Sequence, residues 1–278
     1  MKNKCNLVFH NCIVNSENLE NIKKGFSSIY GEYERDAMSN PIDIDFRKRF
    51  RKEVEIYSKP GSSLLELNAG SGLDALYFAS NNYQVLGTDI AANSKILFEE
   101  KITANPLLKM EYKNVSFEKL DELSGMKFNH IYSNHSGLNC TNNLNQIFSQ
   151  FKGLLYPGGY VTLMVMPKFC PWEILSIING NNKALRRFKA EPIISNVDGF
   201  PIETYYHSPK KIIMSLGSSF HSVNIQPIGL IYPVPFFKTF KNKKIIGLFT
   251  GLDEKICTSR LFNLGIGDCY IITARLSK

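Results

Sequence analysis

Two carboxylates and a glycine turn have the types and spacing of a binding site in this 278-residue chain. The short apolar run Ser62-Ser63-Leu64-Leu65 ends in Glu66, and the chain then turns through Leu67-Asn68-Ala69-Gly70-Ser71-Gly72. The apolar-periodic stretch Leu73-Asp74-Ala75-Leu76 follows, and a second apolar run, Val85-Leu86-Gly87-Thr88, ends in Asp89. A strand, a tight turn, a helix and a second strand, with an acid at each strand tip, bind a nucleoside-bearing ligand across the carboxyl ends of parallel strands. Glu66 argues against a dinucleotide, because a carboxylate beside the turn repels a pyrophosphate and attracts a cationic amine. The pattern therefore favours an aminoacyl nucleoside.

These residues resemble the class I S-adenosylmethionine-dependent methyltransferases, and the resemblance extends over residues 59–168 and 208–278. It implies that S-adenosylmethionine is the cofactor and that Glu66, Asn68, Ala69, Gly70 and Gly72 hold its methionine end. It also implies that Asp89, with Ile90 beside it, accepts hydrogen bonds from the ribose hydroxyls. Pro157-Gly158-Gly159 before the fifth strand is a further shared habit. Two positions depart from the pattern. Asn68 stands where glycine is usual, and Asn is the other residue that tolerates positive φ. After the third strand there is no clean acid or amide for the adenine; Phe117, in Val115-Ser116-Phe117-Glu118, is the candidate for packing on the base. Phe26, Tyr30 and Tyr33 resemble an aromatic amino-terminal lid, with Tyr30 expected on the cofactor. Asp74 reads as a helix-start carboxylate favoured by the helix dipole.

The fourth strand runs into Asn134-His135-Ser136-Gly137-Leu138-Asn139-Cys140, and in such a fold this edge lies beside the transferring methyl group. Asn134, His135 and Asn139 are the candidate catalytic residues. His135 has the pKa range to take a proton from a hydroxyl acceptor, while a histidine after a buried strand is also a common structural residue. Tyr205, Tyr206, His207, Tyr232, Phe236 and Phe237 are candidate acceptor-lining residues. Phe169-Cys170-Pro171-Trp172-Glu173 and Arg186-Arg187 resemble a bacterial subgroup acting on small molecules. Methyl transfer asks for alignment and exclusion of water more than for acid–base groups.

The positioning elements alternate. Strands are expected at 63–68, 84–89, 109–114, 129–134 and 160–166, and helices near 73–80, 93–101 and 144–155. The strands are continuous apolar runs, as helices on both faces require. Two helices broken at Ser39-Asn40-Pro41 precede them, and Pro157-Gly158-Gly159 is expected as a turn. A Ser208-capped helix over 210–216 and strands at 222–227 and 268–274 follow, the last two as an antiparallel pair. The expected fold is α/β: a doubly wound, Rossmann-like, seven-stranded mixed sheet. Residues 1–58 form a helical lid, 59–168 and 208–278 the core, and 169–207 a substrate-covering insertion after strand 5, containing two β segments around Val197-Asp198-Gly199.

Composition sets outer limits. An apolar fraction of 44% with 21% charged residues is that of an ordinary globular protein. The amino terminus makes a poor signal peptide and no apolar run reaches a bilayer-spanning length, so a cytoplasmic protein is expected. Six cysteines lack any Cys-x-x-Cys pair, which speaks for reduced thiols and against zinc; no metal is expected. The net charge of +8 comes with basic clusters at 47–52, 186–189 and 238–244. These read first as solvated helix faces, and nucleic acid is disfavoured as a partner because no RNA-binding module or base-reading motif accompanies them. The leading function is methylation of a small molecule, on oxygen or nitrogen. An RNA or protein methyltransferase, a non-catalytic cofactor-binding protein and a dinucleotide oxidoreductase stand behind it. Acceptor, oligomeric state and pathway are left open by the residues.

Overall fold

The computed structural model describes residues 2–180, 182–189, 192–234, 240, 242–259 and 264–277, with the backbone alone over 2–16, 179 and 182–184. Seven strands form the main sheet: β1 (Ser63–Leu67), β2 (Gln84–Thr88), β3 (Met110–Lys113), β4 (Phe128–Ser133), β5 (Leu155–Val165), β8 (Phe220–Ile228) and β9 (Cys269–Leu276). Their order is β3-β2-β1-β4-β5-β9-β8. The first five pair in parallel, and β9 lies antiparallel between β5 and β8. This is the expected seven-stranded mixed sheet, and its order reverses at β1, where β4 lies on the far side from β2.

Both faces of the sheet are covered. Leu65, Leu67, Ile131 and Leu163 point into one core with Leu144, Phe148, Phe151 and Ile212. Leu64, Tyr132 and Met164 point into the other with Ile42, Phe50, Phe78, Phe98 and Ile246. Alternation along each strand therefore feeds two cores, which is why the strands read as unbroken apolar runs.

The amino-terminal helices are α1 (Lys2–Ser39) and α2 (Pro41–Tyr57). Asn40 separates them: its side chain accepts from the Ile42 N–H at 3.0 Å, and Pro41 occupies the first turn, where its missing N–H costs nothing. The βα units supply α3 (Leu73–Ser80), α4 (Ala92–Ala104), α5 (Leu144–Ser149) and α6 (Phe151–Leu154). The last two replace the single helix expected over 144–155. After β5 come α7 (Pro171–Leu175), two short 3-10 turns and the hairpin β6 (Ile193–Val197)–β7 (Phe200–Thr204), then α8 (Pro209–Leu216) capped by Ser208. The helix α9 (Lys243–Cys257) packs on α2 and β8.

Two expectations are corrected. Pro157-Gly158-Gly159 is not a turn before β5 but a bulge inside it: Leu155 pairs with Phe128 and Tyr160 with His130, so β5 carries three extra residues at that point. Such an insertion bends the strand without ending it. The basic cluster 47–52 is not a solvated face. Arg47 and Arg49 are buried, Arg49 between Asp45 and Asp253, while Lys48 and Lys52 are exposed. Asp253 on α9 also accepts from the Gly229, Leu230 and Ile231 N–H groups, pinning α9 to the end of β8.

Candidate functional site

The turn after β1 places Asn68, Gly70 and Gly72 at φ 47°, 56° and 81°. The expected positive φ at Asn68 is therefore real, and the side chain adds what glycine lacks. Its amide donates to the Asn134 carbonyl at 2.9 Å and accepts from the Ser133 hydroxyl, tying the tip of β1 to that of β4. Gly72 faces away from the cavity, where a Cβ would stand 2.5 Å from the Phe98 ring. It is needed for helix packing rather than for ligand contact.

A cavity of about 390 Å³ opens over the strand tips. It gathers Glu66, Asn68, Ala69, Gly70, Asp89, Ile90, Phe117, Asn134, His135, Asn139 and Tyr30 from the expected site residues, leaving out only Gly72. Met166 of the β5 loop, Ile22 and Phe26 of α1, and Val197 and Ile202 of the hairpin close its other side with apolar surface. Of the expected acceptor-lining aromatics, Tyr205, Tyr206, His207 and Tyr232 do not line it. His207 is buried behind, against the Thr141 carbonyl, and Phe236 and Phe237 lie outside the described residues.

At one end, Glu66 is buried and accepts from the Tyr132 hydroxyl at 3.1 Å. Burial, and then the neighbouring Asp74, push its carboxyl well above the usual range. Asp74 is also buried, which alone would raise it, but Arg47 and Arg51 hold it below the ordinary carboxylate value. Asn134 donates to Asp74 at 2.8 Å, and its side-chain oxygen accepts from the His135 N–H. Asp74 is thus the hub of an ion-pair network rather than a lone helix-start acid. Arg47, Arg51 and Ser133 were missed in the sequence, where only the apolar spacing of Phe46, Phe50 and Val54 hinted that α2 turns one side inward.

At the other end, Asp89 accepts from the Gly70 N–H on Oδ2 and the Ala91 N–H on Oδ1, each at 2.9 Å. Burial raises its carboxyl, and these donors partly offset that. His135 sits at φ 50°, with its ring edge-on to Tyr33 at 5.9 Å between centroids. Asn139 uses its amide on the chain itself, bonding the backbone of Met166 and Tyr205 and so fixing the insertion to the end of β5.

Residues 65–163 match the family model of a methyltransferase domain. The chain carries a class I S-adenosylmethionine-dependent methyltransferase domain. A search of curated protein sequences gave no match to this methyltransferase. Solved structures share its fold. One is the 1,6-didemethyltoxoflavin-N1-methyltransferase of Burkholderia thailandensis, solved with its substrate and S-adenosylhomocysteine; it is 13% identical, with 95% of this chain and 90% of that chain covered and a TM-score of 0.57. A methyltransferase from Methanosarcina mazei is 16% identical, covering 81% and 97%, with a TM-score of 0.56. The [4+2]-cyclase SpnF is also 16% identical, covering 82% and 80%, with a TM-score of 0.53. At these identities the likeness is one of fold, and the methyltransferase's acceptor must be argued from its own cavity.

Proposed function

We propose that this methyltransferase binds S-adenosylmethionine along the tips of β1, β2 and β4 and methylates an oxygen or nitrogen of a small molecule. The observation that carries the reading is one continuous cavity. It joins a buried acid at Glu66 and a second at Asp89 to an apolar chamber past His135. The residues fit the cofactor. Glu66 accepts one side-chain hydrogen bond, from Tyr132, and enters no salt bridge among the described residues, so an ammonium group would complete it, and the Asp89 carboxylate, on which the Tyr30 hydroxyl sits, is the acceptor for a ribose diol. Asn68, Ala69 and Gly70 form the turn between the two, and Ile90 and Phe117 line the cavity where they would pack on the base.

When bound, the cofactor supplies a methyl group already activated on a sulfonium. The chain contributes alignment and dryness. Asn134, held by Asp74, orients the edge on which His135 stands; His135 faces the chamber and takes the proton of a hydroxyl acceptor. Asn139 is a positioning residue, since its amide is spent on Met166 and Tyr205. α1 and α2 serve as the lid and residues 169–207 as the cover. A nucleic-acid substrate is disfavoured because Arg47, Arg49 and Arg187 are engaged in buried ion pairs, leaving less basic surface than the net charge suggests. No described helix is long and apolar enough to cross a membrane.

The test is calorimetry with S-adenosylhomocysteine on the wild type and Asp89→Ala, followed by an acceptor screen with labelled S-adenosylmethionine. Micromolar binding lost in the variant supports the site; equal affinity in both overturns it.

A further inference from the structure

Resting on the reading of Asp89 as the ribose acid, we propose that Tyr30 is a built-in occupant of the ribose position, so that cofactor entry and the docked position of α1 exclude one another. Tyr30, expected from the sequence on the cofactor, donates its hydroxyl to Asp89 Oδ2 at 3.1 Å. That oxygen already accepts the Gly70 N–H, and Oδ1 accepts the Ala91 N–H. The lone pair left on Oδ2 for a sugar hydroxyl is therefore in use. The ring takes the adjoining space as well. It lies against the glycine turn so closely that a Cβ on Gly70 would stand 3.2 Å from it, and only 8% of Tyr30 is exposed. A phenol and a ribose hydroxyl are equivalent here: each is a neutral O–H donor to a buried carboxylate.

Tyr30 is not held there by its own bond alone. Helix α4 begins at Ala92, its N-cap residue Ala91 has no polar side chain to cap it, and the Ala92 N–H donates instead to Ser27 Oγ of α1 at 2.8 Å. The Asn93 amide donates to the Ser27 carbonyl at 2.6 Å, and Lys101 pairs with Glu34 at 2.9 Å. Ser27, Tyr30 and Glu34 recur at helical spacing on one face of α1, so a single docking event sets all three contacts. α1 thus caps α4, closes the cavity and fills the sugar's place at once. Binding must undo the Tyr30 contact, and by linkage any change that weakens it strengthens binding.

The experiment is calorimetry with S-adenosylhomocysteine on the full-length wild type and Tyr30→Phe, which keeps the ring and removes only the donor. The expected result is affinity about three- to tenfold higher in the variant, the size of one hydrogen bond released from competition. Equal or weaker binding in Tyr30→Phe overturns the proposal and makes Tyr30 a supporting wall of the loaded site. Absence of binding in both proteins overturns the cofactor reading and this inference together. As a second measurement, amide exchange over residues 25–34 rises in the wild type on saturation with S-adenosylhomocysteine; a fall across that segment also overturns it.

Discussion

The Asn68 side chain spans from the tip of β1 to the Asn134 carbonyl, 2.9 Å away at the tip of β4. The two strands that flank the Asn134 end of the cavity are held together by an amide at a position where a glycine offers nothing. Asn68→Gly removes that bond and leaves the fully buried Ser133 hydroxyl without its acceptor. Relief of the positive φ offsets part of the loss, so stability falls by about 1–2 kcal/mol in urea unfolding. An unchanged midpoint would show that the bridge is idle.

Glu66 gives cofactor binding a pH dependence. Its carboxyl titrates above the usual range through burial and Asp74, and only the ionised form attracts an ammonium group. S-adenosylhomocysteine affinity therefore weakens as pH falls through that raised value, sooner than an ordinary glutamate would dictate. Glu66→Gln binds about tenfold or more weakly and flattens the profile, as loss of a charge-assisted bond requires. A variant that keeps the wild-type slope in calorimetry removes Glu66 from this role.

Acid stability has a separate origin. Burial depresses His130 to about 3 and His207 to about 4, and His130 is locked between Ser58 and Thr162. Both stay neutral in the fold while the unfolded chain protonates near 6.5. Their contribution is therefore complete above that value and is lost as pH falls. Each histidine costs about 2 kcal/mol between pH 7 and pH 5. Thermal melts of His130→Gln across this range should show a shallower decline than the wild type; parallel curves would contradict the assignment.

Asp253 joins Arg49 to three backbone N–H groups while fully buried. Asp253→Asn leaves the Arg49 charge half-compensated in the interior, at a cost of about 3 kcal/mol by denaturant titration. A loss below about 1 kcal/mol in the same titration would mean that Asp45 suffices for Arg49.

For a hydroxyl acceptor, His135→Gln lowers kcat by about a hundredfold, the lower range for a lost general base. S-adenosylhomocysteine affinity stays at the wild-type value, because no contact at Asp89 or Glu66 changes. Retention of full turnover would assign the proton to solvent.

The succession of strands along the chain, the two acids at their tips and the glycine turn were all legible, because each depends on local patterning: apolar runs of strand length, residues tolerant of positive φ, and helix starts. Asn40 with Pro41, and Ser208 with Pro209, marked helix boundaries correctly for the same reason. Pro157-Gly158-Gly159 misled, since a bulge and a turn use the same residues and differ only in whether the partner strand continues alongside.

By itself, then, the amino-acid sequence determined the methyltransferase core, the pairing of Glu66 with Asp89 across it and the anomaly at Asn68. Tertiary structure alone decided that Asp74 draws Arg47 and Arg51 inward, that Asn139 is spent on the backbone, and that Tyr30 sits on Asp89. These contacts link residues 23 to 66 positions apart. A local pattern reports which face of an element is apolar, but not which distant charge or hydroxyl that face will meet.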